Sequence, residues 1–267
     1  MNLNNHKLPV ALCMIQPDPL PGSYRHTDKT IGQITDNALR EAEMVASNGF
    51  DGFILQNMND MPIKQHSSPE AVAYMSVIGY QLRVKFPELV MGVLLNWDGV
   101  SALSVADAVG ADFMRVEHLF TGVEVTSAGL LEGQCCEIAR LRKSIRSKVP
   151  VFADIYEIHG VPLGPKPIGD AAWESVNEGF ADGLFLCGKS QEESIEMVTQ
   201  ARARVGDTPI FLGGGATGDN VCKLLQYYDG VSVATWVKNG DMKNPIDLAR
   251  AKLFMEQVCL AKKLRES

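Results

Sequence analysis

The sequence predicts an α/β fold, a single (β/α)8 TIM barrel over residues 1–267, on three observations. The chain has 267 residues, close to the roughly 250 of one such domain. Eight apolar runs of strand length alternate with segments of helical spacing, with no element left over and no linker or low-complexity segment. The seventh run, 208–212, enters three consecutive glycines, Gly213, Gly214 and Gly215, and the eighth, 229–235, ends at Thr235. Glycines between a strand and a helix leave backbone N–H groups bare, and barrels place a phosphate site after strands seven and eight. A doubly wound open sheet also fits the alternation, but it does not explain that position.

The elements follow in order. Residues 8–15 are an apolar run that reads as a buried parallel strand, and the proline-rich loop after it fits neither helix nor central strand. Helical spacing over 31–48 stops at Gly49. The second strand is 50–57, and Pro69 opens a helix through Lys85. The third strand is 89–95, its helix 101–109, and the fourth strand 112–117. Residues 118–133 read as a long loop, of the kind that is functional or mobile. A basic amphipathic helix, 134–147, precedes the fifth strand, 149–154. A helix over 170–179, a sixth strand over 182–188 and a helix over 192–205 come next, and Pro245 opens a last helix to about 264. Asp51-Gly52, Asp182-Gly183 and Asp229-Gly230 form a faint repeat at strand starts.

Hydrophobic content of 46% and charged content of 21% describe a soluble globular chain with ample core. A formal net charge of -7, with both signs mixed, argues against a nucleic-acid polymer as partner. The six cysteines form no CxxC pair and read as reduced thiols of a cytoplasmic protein. The polar segment 1–7 and the short first strand suggest neither a signal peptide nor a membrane span. A homo-oligomer is expected.

In a barrel the chemistry sits at the carboxyl ends of the strands. These ends are Gln16, Asn57, Asn96, Glu117, Asp154 and Cys187, closed by the glycines and Thr235, with Asp60, Asp98, His118, His159 and Lys189 a few residues further out. Asp154 and Glu117 are candidates for general acid and base or for stabilising a cation, with His159 and Asp60 as further catalytic candidates. The alternative for each carboxylate is a hydrogen bond to loop N–H groups. Gln16, Asn57 and Asn96 are candidate substrate-binding amides. Gly213, Gly214, Gly215, Thr235 and Lys238 are candidates for phosphate, Lys238 as a point charge or else as a solvated helix-end lysine. Lys189 is placed for a Schiff base, but outside the apolar strand solvent keeps it protonated. No HExxH or clustered Cys/His spacing supports a metal, and no metal or cofactor is expected.

Taken together, these residues resemble the BtpA/SgcQ family of (β/α)8 proteins over nearly the whole length. The matching residues are Pro19-Leu20-Pro21-Gly22-Ser23, Asn57, Asp60, Arg115-Val116, Gly129, Glu132-Gly133, Ala153-Asp154 and His159. Further along they are Gly213, Gly215, Thr217, Asn220-Val221, Asp229-Gly230, Lys238, Asn244-Pro245, Asp247 and Arg250. The family is known chiefly for a photosystem I biogenesis factor and a sugar-operon protein, so the resemblance implies the fold and a phosphate cradle more than a reaction. The chain departs from the family pattern at Glu117, Ser127-Ala128, Gln56, Ile158 and Trp97, all near the expected site. The expected function is an enzyme on a small phosphorylated sugar or nucleotide, hydrolysing an N- or O-glycosidic bond with strand-end carboxylates. A sugar-phosphate isomerase or aldolase is the first alternative, and a non-catalytic assembly factor the second.

Overall fold

The computed structural model describes residues 8–119, 122–156 and 158–266; the polar segment 1–7 lies outside them. In chain order the strands are β1 (Val10–Ile15), β2 (Gly52–Gln56), β3 (Val90–Leu94), β4 (Phe113–Val116), β5 (Val123–Thr126), β6 (Gly129–Glu132), β7 (Val151–Asp154), β8 (Val161–Leu163), β9 (Gly183–Leu186), β10 (Ile210–Leu212) and β11 (Gly230–Val233). The helices are α1 (Ile31–Ser47), α2 (Pro69–Lys85), α3 (Gly99–Val109), α4 (Cys135–Ser144), α5 (Ile168–Asn177), α6 (Gln191–Val205), α7 (Val221–Leu224) and α8 (Leu248–Leu264). Eight strands close a parallel barrel in the order β1-β11-β10-β9-β7-β4-β3-β2. Val10 pairs with Gly230 on one side of β1, and Leu12 with Gly52 on the other. That stagger tilts the strands and lets the sheet close.

Phenylalanines fill the barrel interior. Phe113, Phe152, Phe185 and Phe211 come from successive strands of its far side, with ring centroids 5.1 to 6.3 Å apart. Glycines make room for them. A Cβ on Gly183 would lie 2.4 Å from Phe152, one on Gly92 2.4 Å from Phe113, and one on Gly230 2.7 Å from Phe211. The glycine of the Asp-Gly repeat is therefore a packing requirement.

The aspartate of that repeat has its own work. The N–H of Ala11 donates to Asp51 Oδ2 at 2.8 Å, Val151 N–H to Asp182 Oδ2 at 2.8 Å, and Ile210 N–H to Asp229 Oδ2 at 3.0 Å. Met91 N–H donates to Asp112 Oδ2 at 2.8 Å in the same way, although Phe113 follows there instead of glycine. Each aspartate also takes a cation from the helix before the clamped strand: Lys262, Arg83, Arg142 and Arg202. Helix cation, strand N–H and the aspartate of the next strand thus recur four times around the ring, once per pair of strands.

Three expectations need correction. Residues 118–133 are not all loop, because β5 and β6 form a hairpin there, and β8 joins it in an antiparallel sheet ordered β6-β5-β8. Its strands hold three or four residues each, too short for the sequence pattern to mark them. Buried His118 Nδ1 meets buried Glu124 Oε2 at 2.9 Å and anchors this sheet to the barrel rim. Second, the helix after the glycines is only Val221–Leu224, so an accumulated helix dipole contributes little. Third, the last helix starts at Leu248, because the Asp247 side chain, not Pro245, caps it through Arg250 N–H at 3.0 Å. Among the described residues no helix is long and apolar enough to cross a membrane.

Candidate functional site

A cavity of about 450 Å³ opens at the carboxyl ends of the barrel strands. Strand parity decides which side chains reach it, since alternate residues face the barrel interior. Met14 and Gln16 face inward on β1, Ile54 and Gln56 on β2, Leu94 and Asn96 on β3, and Phe113, Arg115 and Glu117 on β4. Asn57 has the opposite parity. It turns away from the cavity, and its Nδ2 donates to Asp60 Oδ2 at 3.2 Å.

Asp60 is buried and also stays out of the cavity. It accepts the Leu20 N–H at 2.7 Å and holds the loop after β1. Burial pushes its carboxyl above the ordinary carboxylate range, against the lowering effect of that N–H and of Asn57. Lys238 misses the glycines as well. Its ammonium is buried, 3.0 Å from both carboxylate oxygens of Glu41. A sequence pattern places Lys238 near the phosphate strands but says nothing of its direction.

Three amides form a relay along β1, β2 and β3. Asn96 Nδ2 donates to the Asn57 carbonyl at 3.3 Å. This carbonyl can only accept, so it fixes Asn96 Oδ1 as the acceptor of Gln56 Nε2 at 3.0 Å and Gln56 Oε1 as the acceptor of Gln16 Nε2 at 3.2 Å. Asn96 is held at φ 36°, in the left-handed region, to make this contact. Gln56, which sequence reading passed over for its neighbour, is the middle of the relay.

Asp154 holds Arg115. Arg115 Nε donates to Asp154 Oδ2 at 2.8 Å, and Nη2 to Oδ1 at 2.7 Å, a bidentate fork between two buried groups. Nη2 also reaches the Gly213 carbonyl at 3.4 Å, and the guanidinium lies 4.3 Å over the Phe185 ring. Burial opposes the guanidinium charge, but Asp154 and then Glu117 hold its pKa above the ordinary arginine value. Asp154 is not among the residues lining the cavity, whereas Arg115 and Glu117 are. The signal for Arg115 was present in the sequence: a charge inside the apolar run of β4, two residues before Glu117 and therefore on the same face.

The glycines adjoin the arginine, with two strands between them round the wall. Among the described residues no acceptor takes the N–H of Gly214, Gly215 or Ala216. Gly215 sits at φ 71°, and a Cβ on Gly213 would press against Arg115 Nη2 at 3.2 Å. The Thr217 N–H donates to Asn220 Oδ1 at 2.8 Å, and Asn220 Nδ2 to the Gly215 carbonyl at 2.9 Å, so the turn folds back on itself and holds the three N–H groups open. Thr235 lines the cavity beside them. Arg250 completes this wall, with Nη1 donating to the Trp236 carbonyl at 3.1 Å and its guanidinium 5.1 Å from the Trp236 ring. His159 is exposed and lines the mouth with Ile158. Met14, Met58, Trp97 and Met242 give the cavity its apolar surface. No lysine lines it among the described residues.

These features define a (β/α)8 barrel with a cavity at the carboxyl ends of its strands, bordered by bare backbone N–H groups and by an arginine–carboxylate cluster. The chain belongs to the BtpA family, whose pattern it matches over residues 6–259. It is 36% identical over 258 residues to protein TK2179 of Thermococcus kodakarensis, with 95% of each chain covered. It is 35% identical over 257 residues to the photosystem I biogenesis protein BtpA of Synechocystis, covering 93% of this chain and 88% of that one. Among solved structures it is similar in fold to native KDPGal, with a TM-score of 0.60 and 14% identity over 96% of this chain and 97% of that one.

Proposed function

We propose that the protein is an enzyme acting on a phosphorylated sugar or nucleotide, and that its reaction is hydrolysis of a glycosidic bond. One observation carries the reading. The bare N–H groups of the β10 turn form one wall of a cavity and the Glu117 carboxylate after β4 lines another, with only β9 and β7 between them in the ring. Phosphate on the first wall would place the sugar across the mouth and its anomeric carbon toward the second. Glu117 then stabilises the cationic transition state or takes a proton from the attacking water, and His159 at the mouth protonates the leaving group. Asp154 acts through Arg115, as a positioning residue. Among the described residues a Schiff-base aldolase finds no lysine nitrogen lining this cavity. An isomerase that uses Glu117 as a proton shuttle shares every binding contact.

The name of the Synechocystis relative favours a second reading, a role in assembly without turnover. The three separate experimentally. Purified protein is incubated with the ribonucleoside 5′-monophosphates and with pentose and hexose phosphates, and products are followed by NMR. The expected result is release of base or alcohol with sugar phosphate, lowered about 10²–10⁴-fold in Glu117→Gln. Interconversion of sugar phosphates without bond hydrolysis would replace hydrolysis by isomerisation. Phosphate binding with no turnover of any substrate would favour the assembly role.

A further inference from the structure

The helix ends around the barrel do not all close alike. After α1 the Phe50 N–H returns to the Val45 carbonyl at 3.3 Å around Gly49 at φ 77°, and after α3 the Ala111 N–H returns to Ala106 at 2.9 Å around Gly110 at φ 67°. Glycine takes this left-handed position freely, which is why helices so often stop on it. Two helices stop without it. After α4 the Ser147 N–H reaches the Arg142 carbonyl at 3.0 Å around Arg146 at φ 56°, and after α5 the Ala181 N–H reaches Ser175 at 2.9 Å around Phe180 at φ 61°. An arginine and a phenylalanine thus sit in a backbone conformation that penalises a side chain. Burial does not offset this for Phe180, which is 61% exposed.

Both residues line one groove, a cavity of about 450 Å³ between α4 and α5, beside the start of β7 and at the other end of the barrel from the mouth. Ile138, Val151 and Phe180 give it an apolar surface, and Arg142, Lys143 and Arg146 give it charge. Asp182 matches Arg142 at 3.0 Å. The side chains of Lys143 and Arg146 have no ion-pair or hydrogen-bond partner among the described residues. Residues 134–148 hold five cations, Arg140, Arg142, Lys143, Arg146 and Lys148, against one carboxylate, Glu137, in a chain of net charge -7. The negative end of the helix accounts for cations in the last turn of α4. It does not account for an arginine in a left-handed turn, nor for an exposed left-handed aromatic on the neighbouring helix.

We propose that this groove is a second binding site, for a small organic anion: one acidic group held by Lys143 and Arg146, on a ring or short hydrocarbon chain that packs on Phe180. An acidic group alone would leave the apolar surface wet, and an apolar body alone would leave two cations unmatched. Strained backbone recurs at positions that hold ligands, and the volume is that of a small-molecule site.

Calorimetric titration of the whole chain with 3-phenylpropionate, 3-phenylpropanamide and acetate tests it. 3-Phenylpropionate should bind at one per chain, about tenfold more tightly than the amide of the same shape and than acetate, the value of a hydrogen bond to a charged donor. Arg146→Gly should remove the preference for acid over amide, and Phe180→Gly should weaken both phenyl compounds. Both variants should also raise the urea midpoint, because glycine relieves the left-handed strain. Binding lost while stability is gained separates a ligand site from a structural one. Binding at the barrel mouth would survive both substitutions. Equal binding of acid and amide, 3-phenylpropionate affinity unchanged in both variants, or urea midpoints that fall in both overturns the inference.

Discussion

Asp60 shows how a strand-end acid can belong to the framework of a site while taking no part in its chemistry. Its burial raises its pKa, so the folded chain holds the proton more tightly than the unfolded chain does. The contribution is therefore fully present below the ordinary aspartate pKa near 3.9. It is lost as pH rises through the folded value. Urea midpoints measured from pH 3 to 7 should decline across that window and flatten in Asp60→Asn, where the Asn57 amide can turn to pair with the new side chain. Glu41, whose pKa burial also raises despite Lys238, leaves a residual slope of the same sign. An unchanged profile in the variant would remove Asp60 from the account. Cys13 is a parallel case: burial pushes its thiol up to about 12, which suits a packing residue and not a nucleophile.

At the scale of the element, the turn between β10 and α7 is where the sequence reading was strongest. Three glycines after a strand are visible in any alignment-free reading; the Gly213 N–H donates to the Leu186 carbonyl at 3.3 Å, while those of Gly214 and Gly215 meet no acceptor among the described residues. The basic partner was less legible. Lys238 lies close in sequence, yet its side chain runs inward to Glu41. Arg250, on the first turn of α8, sits over Trp236 and, like Arg115, lines the cavity. The turn predicts its own test. Gly215→Ala forces a left-handed alanine, at about 1–2 kcal/mol, and sets a methyl in open space on the cavity wall. Gly110→Ala, at φ 67° beyond α3 and equally open, is the control. Both should lower stability alike in denaturant titrations, and Gly215→Ala alone should weaken phosphate binding. Equal phosphate affinity in the two variants would remove the glycine wall from the anion site.

Across the whole molecule the barrel depends on glycine–phenylalanine pairs and on the aspartate clamps between strands. Phe152 occupies the space above Gly183 and touches Phe113, Phe185 and Phe211. Phe152→Ala should cost about 3–5 kcal/mol, seen as a lower urea midpoint with an unchanged slope, because the interior is shared by all eight strands. A loss below 1 kcal/mol would mean that the barrel closes independently of this layer. The antiparallel β6-β5-β8 sheet stands outside this core, joined to it through His118 and Glu124.

The sequence by itself determined the barrel, its strand order and the glycine turn, because each rests on local pattern: apolar runs, helical spacing and residues without side chains. It also placed Glu117 on the cavity and Asp154 at the end of its strand. Tertiary structure decided direction and partnership. Inward parity selected Gln56 over Asn57. Closure of the ring brought Arg115 on β4 against Asp154 on β7, and so committed that carboxylate to a buried fork. Packing of α1 against the last loop drew Lys238 away to Glu41. A side chain's type can be read along one dimension, but which charge meets it depends on residues 39 or 197 positions distant, and only the folded chain brings those together.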